Sequence, residues 1–472
     1  MTDPNPAPKP LTCSPRSGWE FIFNLKNLYL VDGSSVALLD RYAYELVQPA
    51  ERCADGTDLY LVLEDLRRIY APDFAVLEGP EPGLWTIRHA GLEVHVSENS
   101  RQATGGCGDD PLPCPVLRRG GRLLVPAGSL MRRLGKHVSF RDEFTWIDQQ
   151  AAGVNDRPDP ARYRPGSTRI WAISTSPEGA IDVPESDIHG PLHRHVIAPA
   201  LQASRRAHPC GITRRAFYSA HVDKCLTCEL YLPFSTVFEP DKPLRCILLL
   251  PGANGTANTF DSTRHGTDLT QAYQHYAEER GFALVTVESY VRGGQYGDVT
   301  APLGRTAPTR PNDPENPFGR TPGELEDISR SGQSVLDTLD FAFEQCPQID
   351  RSRVYAVGLS MGGMGVVSLG VRHPELFAGL VAIAGMPCLD CLDLSPIAEV
   401  PLLYLFGSED LGGQDFMLYA VRTLKRHLKR FSYKVSGGAV HGFEWQPYTR
   451  QIFDWIDSVA ASEDGRASGH TH

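Results

Sequence analysis

The 472-residue sequence predicts an α/β protein. Its second half should form a doubly wound, mostly parallel sheet, and a smaller α+β unit made of a duplicated segment should precede it. Three observations carry this expectation. From about residue 211 onward, short apolar runs suited to strands buried on both faces alternate with helical stretches. One such run, Val354 to Val357, leads straight into Gly358-Leu-Ser-Met-Gly362. Near the N-terminus, two segments echo each other 64 positions apart (125 minus 61).

Length and composition bound the rest. A chain this long exceeds one core, and it divides into residues 18–148, a connector over 149–210 and a second domain over 211–462. The chain is 41% hydrophobic and 22% charged, as in ordinary globular proteins. A net charge of -11 with no basic block argues against a nucleic-acid partner. No apolar run reaches the length of a membrane span. The start, Met1 to Pro15, holds five prolines and no apolar core, so no secretory signal is visible, and the chain read literally stays in the cytoplasm.

The 11 cysteines are an odd number and too sparse for a disulfide scaffold. Cys225-x-x-Cys228 and Cys388-x-x-Cys391 invite a zinc reading, but 159 residues separate the pairs (388 minus 229). A zinc ribbon spaces its pairs about 15 to 20 residues apart. Thiols in or beside strands are the expectation, with a local disulfide at one pair as the second reading. No metal site and no cofactor are expected.

In the first unit, Leu61-Val-Leu-Glu-Asp-Leu-Arg-Arg-Ile-Tyr70 and Val125-Pro-Ala-Gly-Ser-Leu-Met-Arg-Arg-Leu134 each read as a strand end and a short helix. Leu66 and Leu130 should point inward, and a strand with alternating apolar positions follows each helix. Leu84 to Ile87 and Leu92 to Val96 form a hairpin turned at Ala90-Gly91. Val125, Pro126, Leu130, Leu134, Gly135 and Val138, with Phe140 as the aromatic, resemble the pattern of the copper amine oxidase N-terminal-like, or stalk, domain. That resemblance implies an accessory module of the kind found in bacterial envelope proteins, and attachment to the cell envelope as its role. His89, His95 and His137 have no ligand spacing and read as surface or core residues. The connector is polar and proline-rich, with Arg169 to Ile173 as its one strand. Its histidines, His189, His193 and His195, lack a carboxylate or cysteine to complete a metal set.

The second domain reads as strands at 226–232, 245–250, 282–287, 354–357, 380–384, 401–406 and 431–435, with helices between and after them. In such a sheet the reactive groups gather beyond the carboxyl ends of the strands. Ser360 stands there on a strand-to-helix turn that two glycines permit. Asp410 follows strand 401–406, with Glu409 and Asp415 as rival acids, and His441 follows strand 431–435. Serine alone attacks poorly at neutral pH, so His441 would take its proton and Asp410 would hold the imidazole. The backbone N–H of Met361 should face the developing oxyanion.

The order Ser360, Asp410, His441 and residues 211–460 as a whole resemble the α/β-hydrolase superfamily. Gly358-Leu-Ser-Met-Gly-Gly363, Arg372-His-Pro-Glu-Leu-Phe377 and Gly407-Ser-Glu-Asp410 look like prolyl-oligopeptidase-type domains and equally like the esterase branch. The resemblance implies a serine hydrolase acting on small-molecule carboxylic esters, with a short-peptide hydrolase as the runner-up. A non-catalytic envelope-binding protein is the reading from another class. The resemblance also makes Ala253 the second oxyanion donor, in the turn Pro251-Gly-Ala-Asn254. The glycine- and proline-rich segment from Tyr290 to Pro322 carries Arg292, Arg305, Arg310 and Arg320 and leaves the sheet beside the site. It reads as a cover over Ser360, with Asn254, Tyr290 and Tyr296 contacting substrate, or as a mobile surface excursion.

Overall fold

The structure, a computed structural model, describes residues 27–39, 42–108, 110–148, 163–174, 211–237, 239, 241–252, 269–287, 295–300, 313, 315–316, 318–410, 413–441 and 446–468. The N-terminal strands are β1 Asn27–Val31, β2 Val36–Leu39, β3 Tyr42–Glu45, β4 Glu51–Arg52 and β5 Leu59–Val62. After helix α1 Leu63–Ile69 come β6 Phe74–Glu78, β7 Leu84–His89, β8 Leu92–Ser97, β9 Ala103–Gly105, β10 Leu117–Arg119 and β11 Arg122–Pro126. Helix α2 Ala127–Arg133 then precedes β12 His137–Asp148 and β13 Tyr163–Ser174. The second half holds β14 Gly211–Ser219, β15 Lys224–Leu232, β16 Leu244–Leu250, α3 Leu269–Arg280, β17 Phe282–Val287 and α4 Pro322–Gln345. It ends with β18 Ile349–Leu359, α5 Met361–Arg372, β19 Gly379–Ile383, β20 Leu402–Gly407, α6 Gly413–His427, β21 Phe431–Ser436 and α7 Gln446–Ser468.

In the second half, β17, β16, β18, β19, β20 and β21 run parallel, and β15 adds antiparallel to β17. The apolar runs explain why: Ile247, Leu249, Tyr355 and Val357 face one buried cluster, while Leu248, Leu250, Val354 and Ala356 face the other. Strands covered on both faces need no polar alternation. Helix α4 begins with Thr321, whose hydroxyl accepts from the Glu324 amide while the Glu324 carboxylate accepts from the Thr321 amide. That reciprocal cap satisfies two amides at the helix start.

The two halves keep largely separate buried clusters but share one sheet. Among the described residues, thirteen strands form one sheet in the order β12-β13-β1-β2-β3-β14-β15-β17-β16-β18-β19-β20-β21. β13, inside the expected connector, pairs along its length with β12 and also with β1, so more than Arg169 to Ile173 is strand. β3 then pairs in parallel with β14, joining the N-terminal strands to the second half. Ala216 and Cys225, from the second half, lie in the same buried cluster as Leu28, Leu66 and Leu130.

Within the N-terminal part the two echoing segments take the same strand–helix–strand order, with Leu66 and Leu130 both fully buried. The hairpin turn has Ala90 and Gly91 at positive φ (50° and 80°), the twist that suits a two-residue hairpin. The two segments are tied by Asp58, whose carboxylate accepts from the Gly128 and Ser129 amides at 2.9 and 2.7 Å, at the start of α2. His89 packs against the rings of Tyr70 and Phe74 as a core residue, and burial lowers its pKa. Cys225 and Cys228 sit three apart on β15 and enter different buried clusters on its two faces, so they do not form a pair.

Burial raises the Asp65 carboxyl from its ordinary value to about 6, against the opposing pull of the Val47 amide and Arg68. A carboxyl with a raised folded pKa favours folding in its neutral form, and that contribution is lost as pH climbs from about 4 through 6. Asp65→Asn should therefore gain stability over the parent at pH 7, by about 2 kcal/mol, and match it near pH 4. Thermal unfolding of both proteins at the two pH values checks this. An unchanged difference between pH 4 and pH 7 would refute it.

Candidate active site

The site is built at the carboxyl ends of the parallel strands. β18 delivers Ser360 to the turn before α5, with φ 56° and ψ −115°. A non-glycine residue rarely holds that backbone, so its neighbours must impose it. The Ser360 N–H donates to the Ile383 carbonyl at 2.7 Å, and its own carbonyl accepts from the Met364 amide at 3.2 Å. A methyl group at Gly358 would overlap the Gly362 carbonyl, and one at Gly362 would overlap the Leu250 carbonyl of β16. The glycines thus let three backbone segments meet under the serine.

Two neighbouring loops bring the acid and the imidazole. After β20, the turn Gly407–Asp410 closes through the Asp410 amide on the Gly407 carbonyl at 3.2 Å. The loop after β21 is fastened to it: the Ser408 and Glu409 amides donate to the Ser436 and Ala439 carbonyls at 2.9 and 3.0 Å. The Gly438 amide also donates to the Ser408 hydroxyl at 2.7 Å. This fastening sets Asp410 against His441, with Nδ1 to Oδ1 at 2.6 Å. On the other side of the ring, His441 Nε2 lies 2.8 Å from Ser360 Oγ. The Asp410 side chain has 0% exposure and accepts only, so the network assigns the imidazole proton to Nδ1 and leaves Nε2 to accept from the serine hydroxyl. Glu409 and Asp415, the rival acids, are exposed.

Met361 is the first residue of α5, so its amide is among those a helix leaves without an internal acceptor. Beside it, Gly252 lies against the serine: a methyl there would sit 3.5 Å from Ser360 Cβ. The Pro251-Gly252 turn therefore reaches the site. Ala253, Asn254 and Tyr290 lie outside the described residues, as do Arg292, Arg305, Arg310 and the histidines of 189–195.

Tyr296 departs from the expectation. Its side chain is fully buried rather than facing substrate. It stands behind the Pro251 turn, its hydroxyl donating to the Pro251 carbonyl at 2.9 Å and its amide donating to Ser331 Oγ at 3.2 Å. Its backbone has φ 52°, and its ring fills the space left by Gly365 on α5. Arg320, one of the four arginines expected over the site, is also buried, beside Phe318. Part of the expected cover is thus interior structure. The signal that could have shown it is the bare glycine at 365, which a small-residue helix would not otherwise need. Tyr296→Phe should lower stability by about 1 to 2 kcal/mol by leaving a buried carbonyl without its donor. It should also reduce kcat a few-fold with KM nearly unchanged, as paired kinetic and thermal measurements would register.

Among the described residues, no group of three His, Cys, Asp or Glu side chains is arranged to hold a metal ion. No described helix is long and apolar enough to cross a membrane.

Parallel strands that carry Ser360 on a tight strand-to-helix turn form a nucleophile-elbow arrangement. The family described as "Putative esterase" matches residues 219–456, and the chain belongs to it. The putative esterase NocK of Nocardia uniformis subsp. tsuyamanensis is 27% identical over 220 residues, which cover 47% of this chain and 52% of that protein. The chain thus spans about half the length of the curated relative it matches. Among solved structures, the S-formylglutathione hydrolase of Staphylococcus aureus is similar at 17% identity and a TM-score of 0.39, covering 53% of this chain and 98% of that one. A ferulic acid esterase of Anaeromyces mucronatus is similar at 16% identity and a TM-score of 0.38, covering 53% and 92%.

Proposed function

We propose that this protein is a serine esterase that hydrolyses small carboxylic esters through an acyl-enzyme. The observation that supports the reading best is the relay from Ser360 Oγ to His441 Nε2 at 2.8 Å and from His441 Nδ1 to Asp410 at 2.6 Å. In this reading His441 takes the serine proton as Oγ bonds to the ester carbonyl carbon, and Asp410 stabilises the imidazolium. The Met361 amide and one from the turn after Gly252, with Ala253 as the candidate, receive the oxyanion. The imidazolium then protonates the leaving alcohol, and water repeats the sequence to release the acid. The two strand–helix–strand segments of the N-terminal part are read as a duplicated accessory unit of the stalk type.

The test is labelling of the intact protein with a fluorophosphonate, alongside hydrolysis of aryl acetate and butyrate and of a short peptide amide. The expected result is a label on Ser360 and turnover of the esters well above that of the amide. Label elsewhere, or no ester turnover by folded protein, would overturn the reading. Faster cleavage of the peptide would replace it with the peptidase.

A further inference from the structure

The sequence marks a second chemical group that the esterase reading leaves unused, Cys388 and Cys391 in the loop after β19. The two cysteines flank and end one turn of 3₁₀ helix, closed by the Cys391 amide on the Cys388 carbonyl at 3.0 Å. Their sulfurs lie 3.3 Å apart as free thiols. A disulfide needs about 2.05 Å, so closure requires a movement of little more than an ångström. Cys388 is half-buried and Cys391 is buried. Cys225, Cys228, Cys246 and Cys346, by contrast, are enclosed in apolar clusters. The Cys391 thiol is pushed up to about 12, by burial first and then by its bond to Cys388 and the nearby Asp390 and Asp298.

The same loop supports the serine. Ala384 leaves β19 with φ 50°, and a methyl on Gly385 would overlap the Ser360 carbonyl. Asp390, between the two cysteines, accepts from the Tyr419 hydroxyl of α6. The cysteine turn is thus tied to α6 through Asp390 and begins three residues after Gly385, which packs on the Ser360 carbonyl.

We propose that Cys388 and Cys391 form a thiol–disulfide exchange site for small organic disulfides, and that its oxidised form slows the esterase. Cys388, the more accessible sulfur, attacks as thiolate on one sulfur of the small disulfide, forming a mixed disulfide and releasing one thiol. Cys391 then gives up its proton and attacks Cys388 Sγ, releasing the second thiol and closing the internal bond. The two cysteines lose two electrons, and the small disulfide is reduced to two thiols that carry the two protons. The effect on rate rests on the esterase reading, whereas the sulfur chemistry does not.

The test incubates the reduced full chain with bis(2-hydroxyethyl) disulfide and follows peptide masses and aryl acetate hydrolysis together. The expected result is a loss of about 2 Da mapped to a link between Cys388 and Cys391. The rate should fall at least about threefold and recover with dithiothreitol, since small displacements of a nucleophile are costly. Cys391→Ser should stop at the mixed disulfide on Cys388, and Cys388→Ser should form no link and keep its rate in the oxidant. Failure of the link to form, or a mapped link with an unchanged rate, would overturn the proposal. A reduced protein inactive on the ester would overturn the esterase reading and the rate effect with it, while the masses decide the exchange site separately.

Discussion

Ser360→Ala is expected to lower kcat on an aryl acetate by about 10³- to 10⁶-fold, with KM nearly unchanged and the protein still folded. The loss should be this large because, in the proposed esterase reading, Oγ bonds to the carbonyl carbon and is the group that His441 Nε2 contacts. Alanine keeps the Cβ and so imposes no new demand on the turn, whose backbone is held by bonds from the Ser360 N–H and to its carbonyl. Whatever activity remains would come from binding and the oxyanion donors. His441→Ala should cost a similar factor, and the double variant little more, because the two act as a unit. Steady-state kinetics with circular dichroism on the same samples decide it, and full turnover by folded Ser360→Ala would sink the assignment.

The second large effect is on folding. Gly362→Ala places a methyl group onto the Leu250 carbonyl, with the Pro251 carbonyl also close. Neither obstacle is a side chain that can swing away. They are backbone groups at the end of β16 and just past it, and β16 is held by parallel ladders to β17 and β18. The turn must therefore move away from β16 or the strand must bend, and either disturbs the bonds that impose the Ser360 backbone. A destabilisation of about 4 kcal/mol or more is expected, in the range that marks core overpacking, together with loss of ester hydrolysis. Denaturant melts against the parent measure it. A shift below about 1 kcal/mol would mean that the close approach of helix and strand is not required.

The meeting of Ser360, Asp410 and His441 was legible because each obeys a local rule. Ser360 follows an apolar run and sits between glycines, and Asp410 and His441 each follow a strand by a few residues. Strand ends in a parallel sheet converge, so local pattern sufficed for their global position. Tyr296 was not legible because its partners are Pro251, Ser331 and Gly365, distant in sequence and on three different segments. A proline- and glycine-rich segment has no periodicity to show which side is inward. The joining of the two halves was hidden for a related reason. β3 and β14 register through Arg215 with Ala43 and Ala216 with Tyr44. Two such pairs leave no composition signal, and the proline-rich connector pointed the other way.

That joint has a mechanical consequence. Pulled along the strands, a sheet carries load in shear through its hydrogen-bond ladders, and each ladder bears force in proportion to its paired positions. β14 registers with β15 at nine positions, from Gly211↔Leu232 to Ser219↔Lys224, and with β3 at two. β1 and β2 likewise register at two positions, whereas β16 registers with β18 at six, so the ladders beside Ser360 are the longer ones. The β3–β14 seam is a short ladder between the two halves, and opening it would present the bare edge of β14 to the solvent.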